Sequence, residues 1–364
     1  VDGKNVSDII TEFESRRSEV DSKSSDMTVS GVAHWVKTEI VNISPDFQRR
    51  DRWDDTRRSR LIESFLVNIP VPPVYLNSEG SGPYTVIDGK QRITAVHKFV
   101  NEGMKLTNLE FLQGLEGLGY EDLPADIRSK LEIEPAMRTV TVTSRKGNGK
   151  SDGQVKYRVF HRLNTGGIKL EPQEIRNAIY RGPLNDLIVE MSSNVYMQEQ
   201  MKTAPDTAGY EKMKDLEYVL RFLTMLENWQ SINDEIKNLM DRFMEENSSP
   251  TKKKINEWRK TYQTMSYRVE RIFGDAAFRN WNHSSESWRD QQNVAVYDAQ
   301  TVAVSLLTSD EFDSALERRE EIIEDLAEMF AEDVEFNDSV SKTTSSQARI
   351  EYRISAVYDL LIGE

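Results

Sequence analysis

Thirteen residues, Tyr84-Thr-Val-Ile-Asp88-Gly89-Lys90-Gln91-Arg92-Ile-Thr-Ala-Val96, constrain this chain more than any others. The first four are strand formers, Asp-Gly breaks the strand, and apolar residues then recur at helical spacing, so a strand must turn directly into a helix. The first amides of a helix lack an acceptor within it and carry the positive end of its dipole. A phosphate set there meets N–H groups, while Lys90 and Arg92 add charge-assisted bonds. The pattern points to a nucleotide as the ligand.

With 364 residues the chain is long enough for about two domains, each able to bury a core of its own. It contains no cysteine, which removes thiolate nucleophiles and cysteine-held zinc or iron–sulfur sites and argues for a reducing compartment. Neither haem nor flavin is expected. No apolar run approaches the ~20 residues of a membrane span, and the N-terminus lacks a signal-peptide core, so a soluble, cytoplasmic protein without membrane partners is expected. The net charge of −14 is uneven: residues 1–182 hold 27 Lys and Arg against 26 Asp and Glu, residues 183–364 only 20 against 35. A surface that wraps DNA by neutralising phosphates is basic, so the second half is a poor general DNA clamp and a better mate for a basic partner.

Residues 1–27 are polar and Ser-rich and read as a flexible lead-in. Thr28–Thr38 carries Val29, Val32, Trp35 and Val36 on one helical face, and an extended segment follows to Ser44-Pro45. Thr56 is a plausible N-cap for an amphipathic helix through Leu66, which ends near Asn68-Ile-Pro70. Residues 49–60 contain six Arg and three Asp, a mixture that most often forms a solvated ion-pair face.

Four blocks in order now resemble a known family: Phe47-Gln48-Arg49 to Trp53; Arg60-Leu-Ile-Glu-Ser-Phe-Leu with Ile69-Pro-Val-Pro-Pro-Val-Tyr-Leu; Val86-Ile-Asp-Gly-Lys-Gln-Arg-Ile-Thr; and Phe160-His-Arg-Leu-Asn164-Thr165-Gly166-Gly167 with Leu170 and Glu174-Ile-Arg176-Asn177-Ala178. Together they resemble the N-terminal domain of GmrSD-type modification-dependent restriction proteins, a domain found also in SspE-like phage-defence proteins. The resemblance covers roughly residues 28–182 and implies an α+β domain of ParB/sulfiredoxin-like fold. The family signature is most often Asp-Gly-Gln-Gln-Arg; Lys90 stands at its third position here, which keeps the Asp, Gly and Arg and adds a cation.

The resemblance implies nucleoside-triphosphate binding and hydrolysis with Mg²⁺. In that reading Gly89 lets the backbone approach a phosphate, Lys90, Gln91 and Arg92 donate to it, and Asp88 holds the metal through water or orients the attacking water. Asp88 and Arg92 are the candidate catalytic pair. Gln48 and Arg49 line the pocket from the preceding loop, and Asn164, Thr165 and Gly167 form a second wall; by themselves those last residues also suit a plain helix C-cap and turn.

Rival signals are weaker. Ser144 to Ser151 ends in Gly-Lys-Ser but has Ser144 where a P-loop needs its first glycine, so it reads as an exposed basic loop after the β-like run at Arg138. Pro205-Asp206 with Glu235-Ile-Lys237 mimics a nuclease pattern, yet Ile232–Met244 has a helical apolar stripe where that motif needs strands. Only His283 lies in the C-terminal half, too little for a His-Asn-His nuclease. That half reads as an all-helical, acidic domain over residues 183–364. Arg349 and Arg353, one turn apart, suit a salt bridge or a shared anion.

The resulting expectation is an NTP-binding and hydrolysing sensor of an anti-phage restriction system, controlling an effector protein that docks on residues 183–364. Two alternatives stay open: a recognition module for a nucleotide or modified DNA that uses the basic loops of the N-terminal domain without turnover, and a metal-dependent DNA nuclease in the same pocket.

Overall fold

The computed structural model describes residues 6–18, 20–43, 53–78, 82–134, 136–144 and 171–363. It is an α+β structure that divides into two compact units, Val1–Ile179 and Tyr180–Glu364. Among the described residues no helix is long and apolar enough to cross a membrane.

Unit 1 is built on a five-stranded mixed sheet in the order β1-β5-β3-β4-β2, with β1 at Val20–Met27, β2 at Val41–Asn42, β3 at Val74–Asn77, β4 at Tyr84–Asp88 and β5 at Met137–Ser144. The β1–β5 and β3–β4 pairs are antiparallel, and the β3–β5 and β2–β4 pairs parallel. Beside the sheet run α1 (Val6–Ser18), α2 (Val29–Lys37), α3 (Asp55–Leu66), α4 (Lys90–Asn101), α5 (Ala125–Ile133) and α6 (Pro172–Ile179). The main core joins Val32 and Val36 of α2, Ile62 and Phe65 of α3, Val96 and Phe99 of α4 and Leu131 of α5 to Val74, Leu76 and Val86 of the sheet. A smaller cluster of Ile87, Val142 and Ile175 sets α6 against the sheet. Val86 and Ile87 thus serve different clusters, as period-two alternation requires of a strand covered on both sides.

Two local readings change. The N-cap of α3 is Asp54, whose carboxylate accepts from the Arg57 N–H at 2.8 Å, rather than Thr56. Within the stretch read as lead-in, Val20–Met27 pairs along all of β5. Its sequence, Val-Asp-Ser-Lys-Ser-Ser-Asp-Met, hides the strand because an edge strand exposed along most of its length needs no apolar alternation.

Unit 2 contains α7 (Pro183–Met191), α8 (Val195–Gln200), α9 (Ala208–Glu211), α10 (Lys214–Asn228), α11 (Ile236–Glu246), α12 (Lys252–Phe273), α13 (Val294–Leu306), α14 (Ser309–Glu317), α15 (Arg319–Glu332), α16 (Val334–Ser341) and α17 (Gln347–Ile362). It is not all-helical. Strands β6 (Arg279–Asn282) and β7 (Ser287–Gln292) form a hairpin pinned by a cross-strand Trp281–Trp288 contact at 5.2 Å, and Trp288 packs in turn on Phe330. Aromatic pairs directly opposite on two strands stabilise a hairpin that polar neighbours disguise. The apolar run Phe312–Phe330 is also two helices, since Arg318 ends α14 and turns to donate to the Leu361 carbonyl.

The centre of unit 2 is α13, apolar around nearly its whole circumference and buried from Ala295 to Val304. Its Asp298, fully buried, accepts from Arg221 at 2.6 and 2.7 Å and from Arg353 at 3.0 Å, joining α10, α13 and α17. Arg353 also donates to the Ser339 and Thr344 carbonyls. Arg349 pairs separately with Asp338, so the two arginines do not share an anion. Ile236–Glu246 is helical, as its apolar stripe requires, and the nuclease-like pattern there has no strands to stand on.

Candidate functional site

The site starts at the end of β4. At this end the ladder is irregular: Tyr75 pairs with Asp88 while Leu76 pairs with Val86, leaving Ile87 as the extra residue of a bulge. Bulges re-aim the following side chain and often stand beside functional sites. Gly89 follows, at φ +93° and ψ 15°, and serves as N-cap of α4. A Cβ there would lie 2.8 Å from Cγ2 of Val74 and 2.9 Å from Nη2 of Arg92, so both the left-handed backbone and the close approach demand glycine. The Gly89 carbonyl accepts the first helical bond, from the Ile93 N–H at 3.0 Å. The first turn of α4 has no acidic residue, leaving the positive end of its dipole uncompensated by its own side chains.

Asp88 and Arg92 meet across one turn. Nη2 of Arg92 donates to Oδ2 of Asp88 at 2.7 Å and to the Pro73 carbonyl at 3.1 Å, and Nε of Arg92 is buried without a hydrogen-bond partner. The guanidinium is turned inward, tying the loop before β3 to the end of β4. Its direct role in this geometry is to orient Asp88, which remains about a quarter exposed. Gln91 is buried and Lys90 half-buried at the start of α4.

Helix α6 lies behind β4, with Ile175 on Ile87 one residue before Asp88. Its polar residues are unexpectedly deep: Gln173, Arg176 and Asn177 are fully buried. Gln173 donates to Asn177 at 2.9 Å and accepts from Arg176 at 3.3 Å, and Oε2 of Glu174 accepts from the Glu171 N–H. The sequence carried a trace of this, since an amphipathic helix with Gln, Arg and Asn among its apolar positions has no ordinary solvent face there.

Of the residues expected at the site, Asp88, Gly89, Lys90, Gln91 and Arg92 stand together at the strand-to-helix turn. Gln48, Arg49, Asn164, Thr165 and Gly167, with the basic loop at 145–150, lie outside the described residues. Among the described residues no three His, Asp or Glu side chains gather to hold a metal ion. A divalent cation at Asp88 would therefore have fewer than three such ligands among the described residues, a donor set that fits Mg²⁺ only when phosphate oxygens and water complete the shell.

Comparison with curated proteins and with solved structures gives no match. Residues 32–181, which carry the Asp88 turn and strands β2 to β5 behind it, match the family described as GmrSD restriction endonuclease, N-terminal domain.

Proposed function

We propose that the chain is a nucleoside-triphosphate-binding and slowly hydrolysing regulator of a restriction-type phage-defence system, acting in the cytoplasm on an effector supplied by another chain. The observation that carries the reading is the Asp88-Gly89 turn: a strand delivers a carboxylate to the positive end of a helix at a glycine into which no Cβ fits. An anion can approach the backbone there more closely than at any residue with a side chain. The family supports the restriction setting and with it contact with DNA. A ParB/sulfiredoxin-like fold for unit 1 belongs to the same reading.

Lys90 and Gln91 donate to the phosphates, and Gln48, Arg49, Asn164, Thr165 and Gly167 close the pocket. Bound Mg²⁺ neutralises phosphate charge. Asp88 holds it or orients the attacking water, and Arg92 fixes the carboxylate that does so. The acidic unit 2 receives the effector, and the basic residues at 49–60 and 145–150 follow the DNA backbone. Titration calorimetry with each nucleoside triphosphate and Mg²⁺ tests this. Binding should weaken at least tenfold in Lys90→Ala, because a charge-assisted phosphate contact is worth about 1.5–3 kcal/mol. Wild-type affinity in that variant would move the site elsewhere.

One observation favours a second reading, recognition without turnover: the Asp88 carboxylate is already engaged by Arg92. Phosphate release separates the two.

A further inference from the structure

A cavity of about 360 Å³ opens at the opposite end of β4, lined by Val36, Glu39, Val41, Asn42, Ile43 and Pro83. At about 3.3 Å per strand residue, Pro83 and Asp88 are ~16 Å apart, so this is a separate place from the Asp88 turn. Its size falls within the range of small-molecule sites, and its lining has their composition, four apolar side chains and two polar ones. Among the described lining residues the polar groups are a carboxylate and a carboxamide, with no cation. That described lining suits an apolar body bearing N–H donors better than a phosphate.

Glu39 adds an independent observation. It follows the α2 C-cap Thr38 with φ +58°, at a position where helices ordinarily end in glycine. Glycine would avoid the ~1–2 kcal/mol that a left-handed backbone costs a residue with a Cβ. Part of the wall is also fixed in advance. Trp35 and Tyr84, neighbours of Val36 and Pro83, stack at 5.6 Å with 12° between their planes, and the Tyr84 N–H donates to the Ile40 carbonyl at 2.8 Å. A preformed cavity binds without first paying for its own ordering.

The geometry points to this cavity as a site for a nucleobase that carries an exocyclic amine, with Glu39 accepting from the amine and Asn42 reading the adjacent ring edge. The inference rests on the restriction-type reading above, which brings DNA to this domain. Adenine, cytosine and guanine present an amine; thymine has only its N3–H to donate, flanked by two carbonyl oxygens that a carboxylate repels, and is disfavoured. The base can come from a free nucleoside or from a strand of DNA whose base is unstacked.

The test is fluorescence anisotropy with the full chain and short single-stranded homopolymers of dC, dA and dT, with cytidine and thymidine as competitors. The dC and dA strands should bind about tenfold or more tightly than dT, the discrimination a hydrogen-bonded amine supplies over a mismatched carbonyl. Glu39→Gly removes the carboxylate and relieves the left-handed backbone, so its Tm should hold or rise while the preference for dC and dA disappears; a merely structural Glu39 would not separate those two readouts. Competition by cytidine assigns the ligand to a free base, and strand binding that cytidine does not displace assigns it to DNA. Equal binding of all three strands by the wild type, no binding of any, or a preference that survives in folded Glu39→Gly overturns the inference. Triphosphate hydrolysis by the same wild-type sample is measured alongside. Hydrolysis without base preference sinks this inference alone, and base preference without hydrolysis sinks only the turnover reading.

Discussion

Single residues hold unit 1 in shape by satisfying backbone groups outside its helices and strands. Glu63 of α3, almost fully buried, accepts three N–H bonds, from Glu110 at 3.0 Å and from Phe111 and Leu112 at 2.7 Å each. Burial pushes its carboxyl up, but the bonds from Leu112, Glu110 and Phe111 outweigh burial and hold it below the usual glutamate range. A depressed folded pKa stabilises the fold fully above the unfolded value of about 4.3, and that stability is lost as pH falls through the folded value. Glu63→Gln sets an amide N–H₂ against a backbone donor and should cost about 1–3 kcal/mol at neutral pH in urea titrations. The gap from wild type should narrow below about pH 4; a gap independent of pH would remove the charge from this account. Gly89→Ala should cost more than the ~1–2 kcal/mol of a left-handed alanine, because its Cβ also meets Val74 and Arg92. Stability unchanged in that variant would show that the turn relaxes without the cradle.

At the scale of elements, the triad of Arg221, Asp298 and Arg353 clamps three helices of unit 2 through a carboxylate with no exposure. Removing Asp298 leaves the fully buried Arg353 guanidinium facing that of the largely buried Arg221. Asp298→Ala should therefore lower stability by about 3–5 kcal/mol, and by more than Arg349→Ala, whose pair with Asp338 is half open to water. Equal losses by thermal melting would contradict the clamp. Such a triad is hard to foresee, because its members lie far apart in sequence, whereas the β4–α4 turn is visible from local pattern alone. Strand formers before Asp88, glycine at 89 and apolar residues at helical spacing act within one short segment. The i,i+4 spacing of Asp88 and Arg92 also allows their bond to be foreseen, but not the inward turn of the guanidinium, which depends on the Pro73 carbonyl nineteen residues away. Strand β1 stayed hidden because its stability comes from pairing with β5, a contact more than a hundred residues distant in the chain. The β6–β7 hairpin was partly legible in the two tryptophans that bracket it.

At the scale of the molecule, a near-neutral unit with a glycine-capped strand-to-helix turn is followed by an acidic, mainly helical unit, with one histidine beyond residue 182 and no cysteine anywhere. In the reading proposed above, nucleotide chemistry belongs to unit 1 and partner contact to unit 2. The purified chain alone should not nick unmodified plasmid DNA with Mg²⁺. Cleavage that vanishes in Asp88→Ala would promote the nuclease alternative, and cleavage indifferent to that change would trace to a contaminant. The most direct measurement of the central claim is phosphate release from nucleoside triphosphates with Mg²⁺, wild type beside Asp88→Asn, both first shown folded by circular dichroism. Asn keeps the size of Asp88 and removes its charge, so release by the wild type should fall to background in the variant. Undiminished release by folded Asp88→Asn, or none by the wild type with any triphosphate, would contradict the assignment of turnover to this turn.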